Sequence, residues 1–456
     1  MGQRSRDPGP TRQEWDALGA VDVPFDALYG AQTMRAMANF PVSGIAIGRF
    51  PGLIQALARI KAAAARANAQ LGQLSPDKAV LIGRVCEEIV SGQHHQHFPV
   101  DVFQGGAGTS TNMNMNEVIA NRGLELMGYP CGDYTHLHPN DDVNRSQSTN
   151  DVYPTAIRIA LMTDVQRLMA QLFALAEAFE EKGRAFASVM KLGRTELQDA
   201  VPMTLGAEMH AYGVTIREDV ERLHATVGLL SEINLGGTAI GTGVAAPRGY
   251  QAAVIAELAV LTGLALKPSP DLIEASWDAG VFVHVSGVLK RVATKLSKIA
   301  NDLRLLSSGP RGGLGEIRLP AVQPGSSIMP GKVNPVVCEM VNQVAFHVIG
   351  TDVTVSFAAE AGQLQLNAFE PVMAYTLLQS VELLGNATEI FRLRCVQGIE
   401  ADAERCRRNL EMSTAHFTEL VPVIGYEAAS RLACDMLASG ETWADVRPRL
   451  KLPEGG

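Results

Sequence analysis

The sequence predicts an all-α protein built on long helices. Three observations carry this reading. Apolar residues make up 46% of the 456-residue chain while aromatics are only 5%, and the apolar share is dominated by alanine and leucine, which favour helix over sheet. From Ala156 to Lys182 neither Gly nor Pro occurs. Within that run Ile157, Leu161, Val165, Leu168, Leu172, Leu175 and Phe179 recur at alternating spacings of four and three, the apolar stripe of a helix close to coiled-coil period.

Taken in order, residues 1–15 read as a polar, disordered lead-in, and residues 16–145 as short helical stretches mixed with loops rich in Gly, Pro and Asn. The central region, 146–398, repeats the stripe. Ile216, Val220, Leu223, Val227 and Leu230 carry it, as do Val285, Leu289, Val292, Leu296, Ile299, Leu303 and Leu306. Val337, Val341, Val344 and Val348 give a shorter version, and Leu377, Val381 and Leu384 part of a fifth. Five such helices predict an extended bundle. Several have apolar residues off the seam, among them Met162, Met169, Ala170, Val288, Ala293 and Ala300. A helix apolar on more than one face needs more than one neighbour, so association of subunits is expected. Residues 399–456 read as a small charged C-terminal domain with a helix near Glu427–Ala438. The expected division is therefore 1–145, 146–398 and 399–456, in line with about 150 residues per domain.

The net charge of −9 argues against nucleic acid or an anionic membrane as the main partner. It leaves room for an anionic substrate held by a local cluster. Cys86, Cys131, Cys338, Cys395, Cys406 and Cys434 form no C-x-x-C pair, which suggests free thiols in a reducing compartment. The start MGQRSRDPGPTRQEWD has no apolar core of a signal peptide, and no run of 18 apolar residues occurs. A soluble cytoplasmic protein is the expectation.

Four polar, turn-rich stretches border the helices: GGAGTSTNMNMNE (105–117), HPNDDVNRSQSTND (138–151), GRTELQDAVPMTLG (193–206) and GSSIMPGKVNP (325–335). Hydroxyls and amides are short donors suited to carboxylate oxygens, and Gly frees backbone N–H groups for the same use. The fixed cations in them are Arg145, Arg194 and Lys332. Together they suit a pocket for a small dianion. The alternative is that Ser, Thr and Asn here cap helices and close turns, as SQSTND before the longest stripe could.

GSSIMPGKVNP resembles the signature segment of the fumarase/aspartase superfamily, and the other three stretches match its other active-site segments in the same order. The likeness runs from about Trp15 to the C-terminal region. FPVDVFQGGAGTSTNMNMNE, DLIEASWDAG (271–280) and AEAGQLQLNAFEPV (359–372) look closest to the aspartate ammonia-lyase branch. HPNDDVN, GSSIMPGK and VIGYEAA are as similar to fumarases as to aspartases. The resemblance implies a long-helix bundle of the fumarase/aspartase type, with smaller N- and C-terminal domains. It also implies a homotetramer whose active sites are shared by three subunits. The implied reaction is the reversible anti elimination of ammonia from L-aspartate to give fumarate, without metal or organic cofactor.

By the same resemblance Ser326 is the base that removes the proton beside the β-carboxylate. Thr109, Ser148, Thr149 and Ser327 hold that carboxylate as it becomes an enediolate, whose charge needs preorganised donors. Lys332 and Asn334 bind the other carboxylate, and Asn150 and Thr195 lie near the amine. A serine base must be shifted by several pK units, each about 1.4 kcal/mol. Backbone N–H groups of a glycine-rich loop and the field of Lys332 can supply this. Such loops close over substrate, and Gly312, Gly313 and Gly315 are read as part of its flexible run.

Glu196 departs from the family pattern, which has histidine in fumarases and glutamine or histidine in aspartases. In fumarases that histidine pairs with a glutamate, here Glu339, to handle water. If Glu196 and Glu339 meet, one carboxyl should be raised. Either Glu196 favours an ammonium group over water, or it is a tolerated stand-in for glutamine. HHQH (94–97) resembles a metal motif in composition but lacks partners at ligand spacing, so no metal is expected. His138 and Arg145 fit either a secondary carboxylate patch or a helix cap, while Met113 and Met115 read as packing. The competing functions are fumarate hydratase, a lyase releasing a substituted amine, and a structural protein that kept the fold. Retention of Ser326, Lys332, Asn334 and Ser148-Thr149-Asn150 argues against the last.

Overall fold

The computed structural model describes residues 9–450. Thr11–Asp16 (β1) and Gly19–Pro24 (β2) form an antiparallel hairpin. The end of the expected lead-in is therefore ordered, and residues 1–8 lie outside the described range. Arg12 fixes the hairpin. Its guanidinium donates to the carbonyls of Ala27 (2.7 Å) and Tyr29 (2.8 Å) and pairs with Glu14 at 2.7 Å.

Helices follow at Ala31–Asn39 (α1), Pro51–Gln70 (α2), Pro76–Val90 (α3) and Thr109–Met127 (α4). Two of these are far from short: α2 has 20 residues and α4 has 19. Proline at the first turn starts α2 and α3, where its missing N–H costs nothing. The left-handed Gly128 ends α4.

The chain then runs through α5 (Thr149–Ala185), a hairpin of β3 (Met190–Thr195) and β4 (Gln198–Thr204), and α6 (Leu205–Leu230). A short parallel pair, β5 (Glu232–Ile233) and β6 (Lys267–Pro268), flanks α7 (Tyr250–Thr262). Next come α8 (Gly280–Leu306), β7 (Ile317–Arg318), α9 (Val336–Glu360) and α10 (Glu370–Arg394). β8 (Glu400–Ala401) pairs antiparallel with β7. The C-terminal region holds α11 (Ala403–Glu411), α12 (His416–Ile424), α13 (Tyr426–Ser439) and α14 (Trp443–Val446). It has its own small core of Phe417, Leu420, Ala429, Met436 and Val446.

The fold is thus mainly helical, with α5, α6, α8, α9 and α10 as its long members. Their seams are apolar and turned inward. All seven stripe residues of α5 and all seven of α8 are buried, whereas Val220, Val227, Val337 and Val344 are half-buried. By length and composition α5 could cross a membrane, but half of its apolar window is buried inside the chain.

By proximity the residues group into two units. The first holds the chain up to Arg167, Leu223–Leu289 and Gly350–Glu382. The second holds Leu168–Arg222, Lys290–Ile349 and the chain from Leu383. Within the second, Phe179 of α5 meets Tyr212 of α6 edge-on at 5.6 Å and Phe391 of α10 at 6.1 Å. Tyr212 donates to Asp302 of α8 (2.9 Å), and Asn342 of α9 donates to Ser297 Oγ of α8 (2.8 Å). Within the first, Ser286 of α8 donates to Asp352 of α9 at 2.7 Å.

The off-seam positions divide. Met162, Ala293 and Ala300 are buried within the chain, whereas Met169 and Val288 are half-buried and Ala170 is exposed. Large apolar side chains are also uncovered on α9, where Phe346, Val353 and Phe357 are 62%, 55% and 70% exposed.

Candidate active site

The segment Gly325–Pro335 forms a closed loop ahead of α9. Gly325 N donates to Lys332 O (2.9 Å), and the Asn334 side-chain amide donates to Gly325 O (2.9 Å). A Cβ on Gly325 would sit 2.8 Å from Asn334 N, so only glycine fits the neck of this loop. Inside it, Ser326 Oγ accepts from Ile328 N (3.2 Å) and Met329 N (3.0 Å). Two backbone donors therefore already point at the one oxygen that would carry negative charge as an alkoxide.

Lys332 is exposed, and Asn334 and Glu339 are half-buried. All three line a cleft of about 1170 Å³ together with Arg304, Arg405 and Arg408. Ser326 and Ser327 sit on the loop beside it, not in its lining. The glycine run before the loop is not free to swing. Arg405 donates to Gly313 O (2.6 Å) and Leu314 O (2.9 Å), and Gly315 N donates to Ser308 O (3.0 Å). Gly312, Gly313 and Gly315 thus belong to a tethered turn.

Thr195 ends β3, where it pairs with Gln198. Glu196 and Leu197 form the two-residue tip with φ of 52° and 65°, both left-handed. That is the backbone of a hairpin turn that normally takes Asn-Gly or Asp-Gly. Glu196 is exposed at this tip and is not part of the lining of the cleft that holds Glu339. Arg194 is not an available cation. It donates to the buried Glu316 (2.7 Å), which also receives Asn409 (3.0 Å) and pairs with Lys191 at 3.3 Å. Burial pushes the Glu316 carboxyl up, but Arg194 and Lys191 more than offset this and hold it low.

In the first unit the two remaining segments are joined. Thr109 opens α4 and donates to Gly106 O (2.7 Å). The preceding Gly108 is left-handed, and a Cβ there would run into the Tyr153 ring. Asn112 and Asn116 of α4 both donate to Asn144 Oδ1 (3.1 Å each), and the buried Lys61 of α2 donates to the same atom (2.9 Å). Lys61 also donates to Gln147 (2.9 Å), and burial lowers its ammonium pKa to about 7. Asn144 thus fixes the turn that leads to Ser148, Thr149 and Asn150. Ser148 caps α5, accepting from Asn150 N at 3.2 Å.

The capping reading of this segment is therefore correct as local structure. Thr109 and Ser148 stand at the N-termini of α4 and α5, and Lys332 and Asn334 just ahead of α9. Helix N-termini favour anions. His138 is a cap as well: its Nδ1 accepts from Asn140 N and Asp141 N (3.1 Å each). His94 and His95 are engaged locally, with Glu88 and Ile89 O, and His97 Nδ1 accepts from the distant Leu28 N. Met113 and Met115 are buried packing residues. Lys61 and Asn144, with Asn234 donating to Asn150 O (3.0 Å), hold the turn around Ser148–Asn150 and were missed in the sequence, where Lys61 looks like a surface lysine among alanines.

A family model described as a lyase matches residues 19–350. The aspartate ammonia-lyase of Pseudomonas aeruginosa is 56% identical over 431 residues, covering 94% of this chain and 91% of that protein. Among solved structures, a fumarate lyase:delta crystallin from Brucella melitensis bound to cobalt superposes with a TM-score of 0.94 at 57% identity, covering 96% of each chain. A class II fumarase from Schistosoma mansoni superposes with a TM-score of 0.91 at 35% identity, covering 96% and 94%.

Proposed function

Since the chain belongs to the lyase family that its residues 19–350 match, we propose that it is the carbon–nitrogen lyase that removes ammonia from L-aspartate to give fumarate. The carrying observation is the much higher identity to an aspartate ammonia-lyase than to a fumarase, spread over nearly the whole chain.

In this reading Ser326 takes the proton from the carbon beside the β-carboxylate. The N–H groups of Ile328 and Met329 stabilise its alkoxide form. Thr109, Ser148, Thr149 and Ser327 hold the β-carboxylate while it carries the enediolate charge. Lys332 and Asn334 hold the other carboxylate, with a charge-assisted contact from the lysine. The electron pair left at C3 then closes the double bond, and ammonia departs from C2 on the opposite face. Asn150, Thr195 and Glu196 face the amine, and Glu339 stands by to exchange the proton. The charge logic suits a doubly anionic substrate: each carboxylate meets a helix N-terminus and neutral donors, with one lysine.

The candidate residues are divided between the two units, and the cleft at Lys332 is far larger than a four-carbon dicarboxylate. Both facts support a homotetramer in which three subunits complete each site. The face of Phe346, Val353 and Phe357 supports it too, since burying one such side chain yields about 1.5–3 kcal/mol. Changing Phe346 and Phe357 together to aspartate should shift the mass measured by light scattering from tetramer to smaller species, with loss of nearly all activity. A tetramer that stays intact and active would reject this face as the interface.

The six unpaired cysteines support a cytoplasmic location. The divisions 1–145, 146–398 and 399–456 are offered as folding regions, the last supported by its own apolar core.

Fumarate absorbance with aspartate, malate and N-substituted aspartates offered separately tests the reaction. Malate consumed with aspartate inert would replace the reading by fumarate hydratase. Glu196→His tests the leaving-group preference, because histidine tolerates the left-handed backbone found there. The expected result is weaker deamination and a new malate dehydration. A variant unchanged in both would leave Glu196 as a mere stand-in for glutamine.

A further inference from the structure

Asp151 follows Asn150 and has no part in the chemistry proposed above, yet it is fully buried. A carboxylate taken out of water is costly unless its oxygens are paired. Here backbone alone pairs them. Oδ1 accepts from Ser148 N (3.0 Å), a local capping bond. Oδ2 accepts from Gly236 N (2.9 Å) and Thr238 N (3.0 Å), which lie 85 and 87 residues along the chain.

Those two amides belong to the glycine-rich stretch GGTAIGTG (236–243). Its backbone is strained. Thr238 and Ile240, and Ala245 just beyond it, hold φ of 50°, 53° and 69°, values that side chains with a Cβ avoid. A Cβ on Gly236 would come within 2.8 Å of Gln251. Strain of this kind persists only where the surroundings fix it, and it gathers at functional sites. A second tie runs from the same stretch: Asn234, also buried, donates to Asn150 O (3.0 Å) and to Ala275 O (3.3 Å). The charged and titratable groups facing Asp151 from its neighbours are Lys61 of α2 and Tyr250 of α7. An apolar residue would fill this space without losing hydration, so packing alone gives no reason for the carboxylate.

We infer that Asp151 is a positioning residue: its carboxylate ties the glycine-rich stretch to the turn that presents Ser148, Thr149 and Asn150, and so fixes those three side chains for substrate. The inference rests on the reading of Ser148–Asn150 as substrate contacts. An asparagine in its place would turn one acceptor into a donor facing backbone donors. Asn234→Ala would cut the second tie without touching a charge.

Two readouts on the full tetramer test this. In hydrogen–deuterium exchange, Asp151→Asn should speed exchange at Gly236, Thr238 and residues 148–150 at least tenfold, with the C-terminal region unchanged. In kinetics, its KM for aspartate should rise at least tenfold per folded site, with Asn234→Ala moving the same way. The double variant should fall short of the product of the two effects, because both cut one linkage.

Burial raises the Asp151 carboxyl to about 6. Protonation as pH falls through that value therefore adds stability relative to the ionised form, yet it removes an acceptor from the tie. Wild-type affinity should weaken on that limb while stability does not, and Asp151→Asn should lack the limb. Unchanged exchange would overturn the tie. Faster exchange with unchanged KM and kcat would overturn its role in positioning. A wild-type chain inert on aspartate would reject the reaction instead, and the exchange data would still decide the tie.

Discussion

Ser326→Ala should lower kcat by about 10²–10⁴-fold, the usual contribution of a positioned base, while the fold remains intact. The side chain is small and lies on a loop that carries no part of the apolar core. Its loss frees only the N–H groups of Ile328 and Met329, both on exposed residues where water replaces the lost acceptor. The fall corresponds to about 3–5.5 kcal/mol of transition-state stabilisation. The specific test is exchange of the C3 proton of aspartate with solvent deuterium. If Ser326 removes that proton, exchange must fall in step with turnover. An alanine variant that still exchanges the proton within tenfold of wild type would place the base elsewhere. A variant that folds but loses binding of fumarate would make Ser326 a ligand contact. The geometry favours a base because the two backbone donors converge on Oγ before any substrate is present.

The long helices were legible because leucine, isoleucine and valine mark their seams at regular spacing. α2 was not, although it is 20 residues long. Its buried positions include Ala56, Ala58, Ala62, Ala63, Ala64, Ala65 and Ala67, on every side of the helix. A helix covered all round shows no stripe. The hairpin of β3 and β4 was hidden for a different reason. Its tip is Glu196-Leu197, which lacks the Gly or Asn that signals a turn of this hand, and the strands compensate by pairing over six registers.

The candidate site shows a further limit. Its residue types could be read from the four polar stretches, and so could their double meaning as caps and turns. What could not be read is the geometry that these caps and turns build. Ser148 caps α5 by accepting from Asn150 N, and the turn formed by Ser326 is what brings two N–H groups to its oxygen. The supporting residues, Lys61, Asn144, Asp151 and Asn234, act through pairings of up to 87 residues' separation that no local pattern encodes.

Lys332→Met should raise the KM for aspartate about 10–150-fold, the value of a hydrogen bond to a charged group at about 1.5–3 kcal/mol. Methionine keeps most of the stem and removes the charge. The loop should survive the change, because Lys332 holds it through its main chain: its carbonyl accepts from Gly325 N and its N–H donates to Met329 O. Arginine should rescue little, since its fork places two donors where a single ammonium stood.

The role can be isolated by ligand truncation. Succinate has both carboxylates, whereas propionate has one. If Lys332 holds one particular carboxylate, the variant must lose affinity for succinate while binding the monocarboxylate as wild type does. Equal losses toward both would mean that the lysine acts through the field of the whole cleft, to which Arg304, Arg405 and Arg408 also contribute. Equal losses in kcat alone, with succinate binding intact, would move Lys332 from binding to the support of the Ser326 alkoxide. The first outcome is expected, because Lys332 is exposed and carries its charge to solvent, where substrate can meet it.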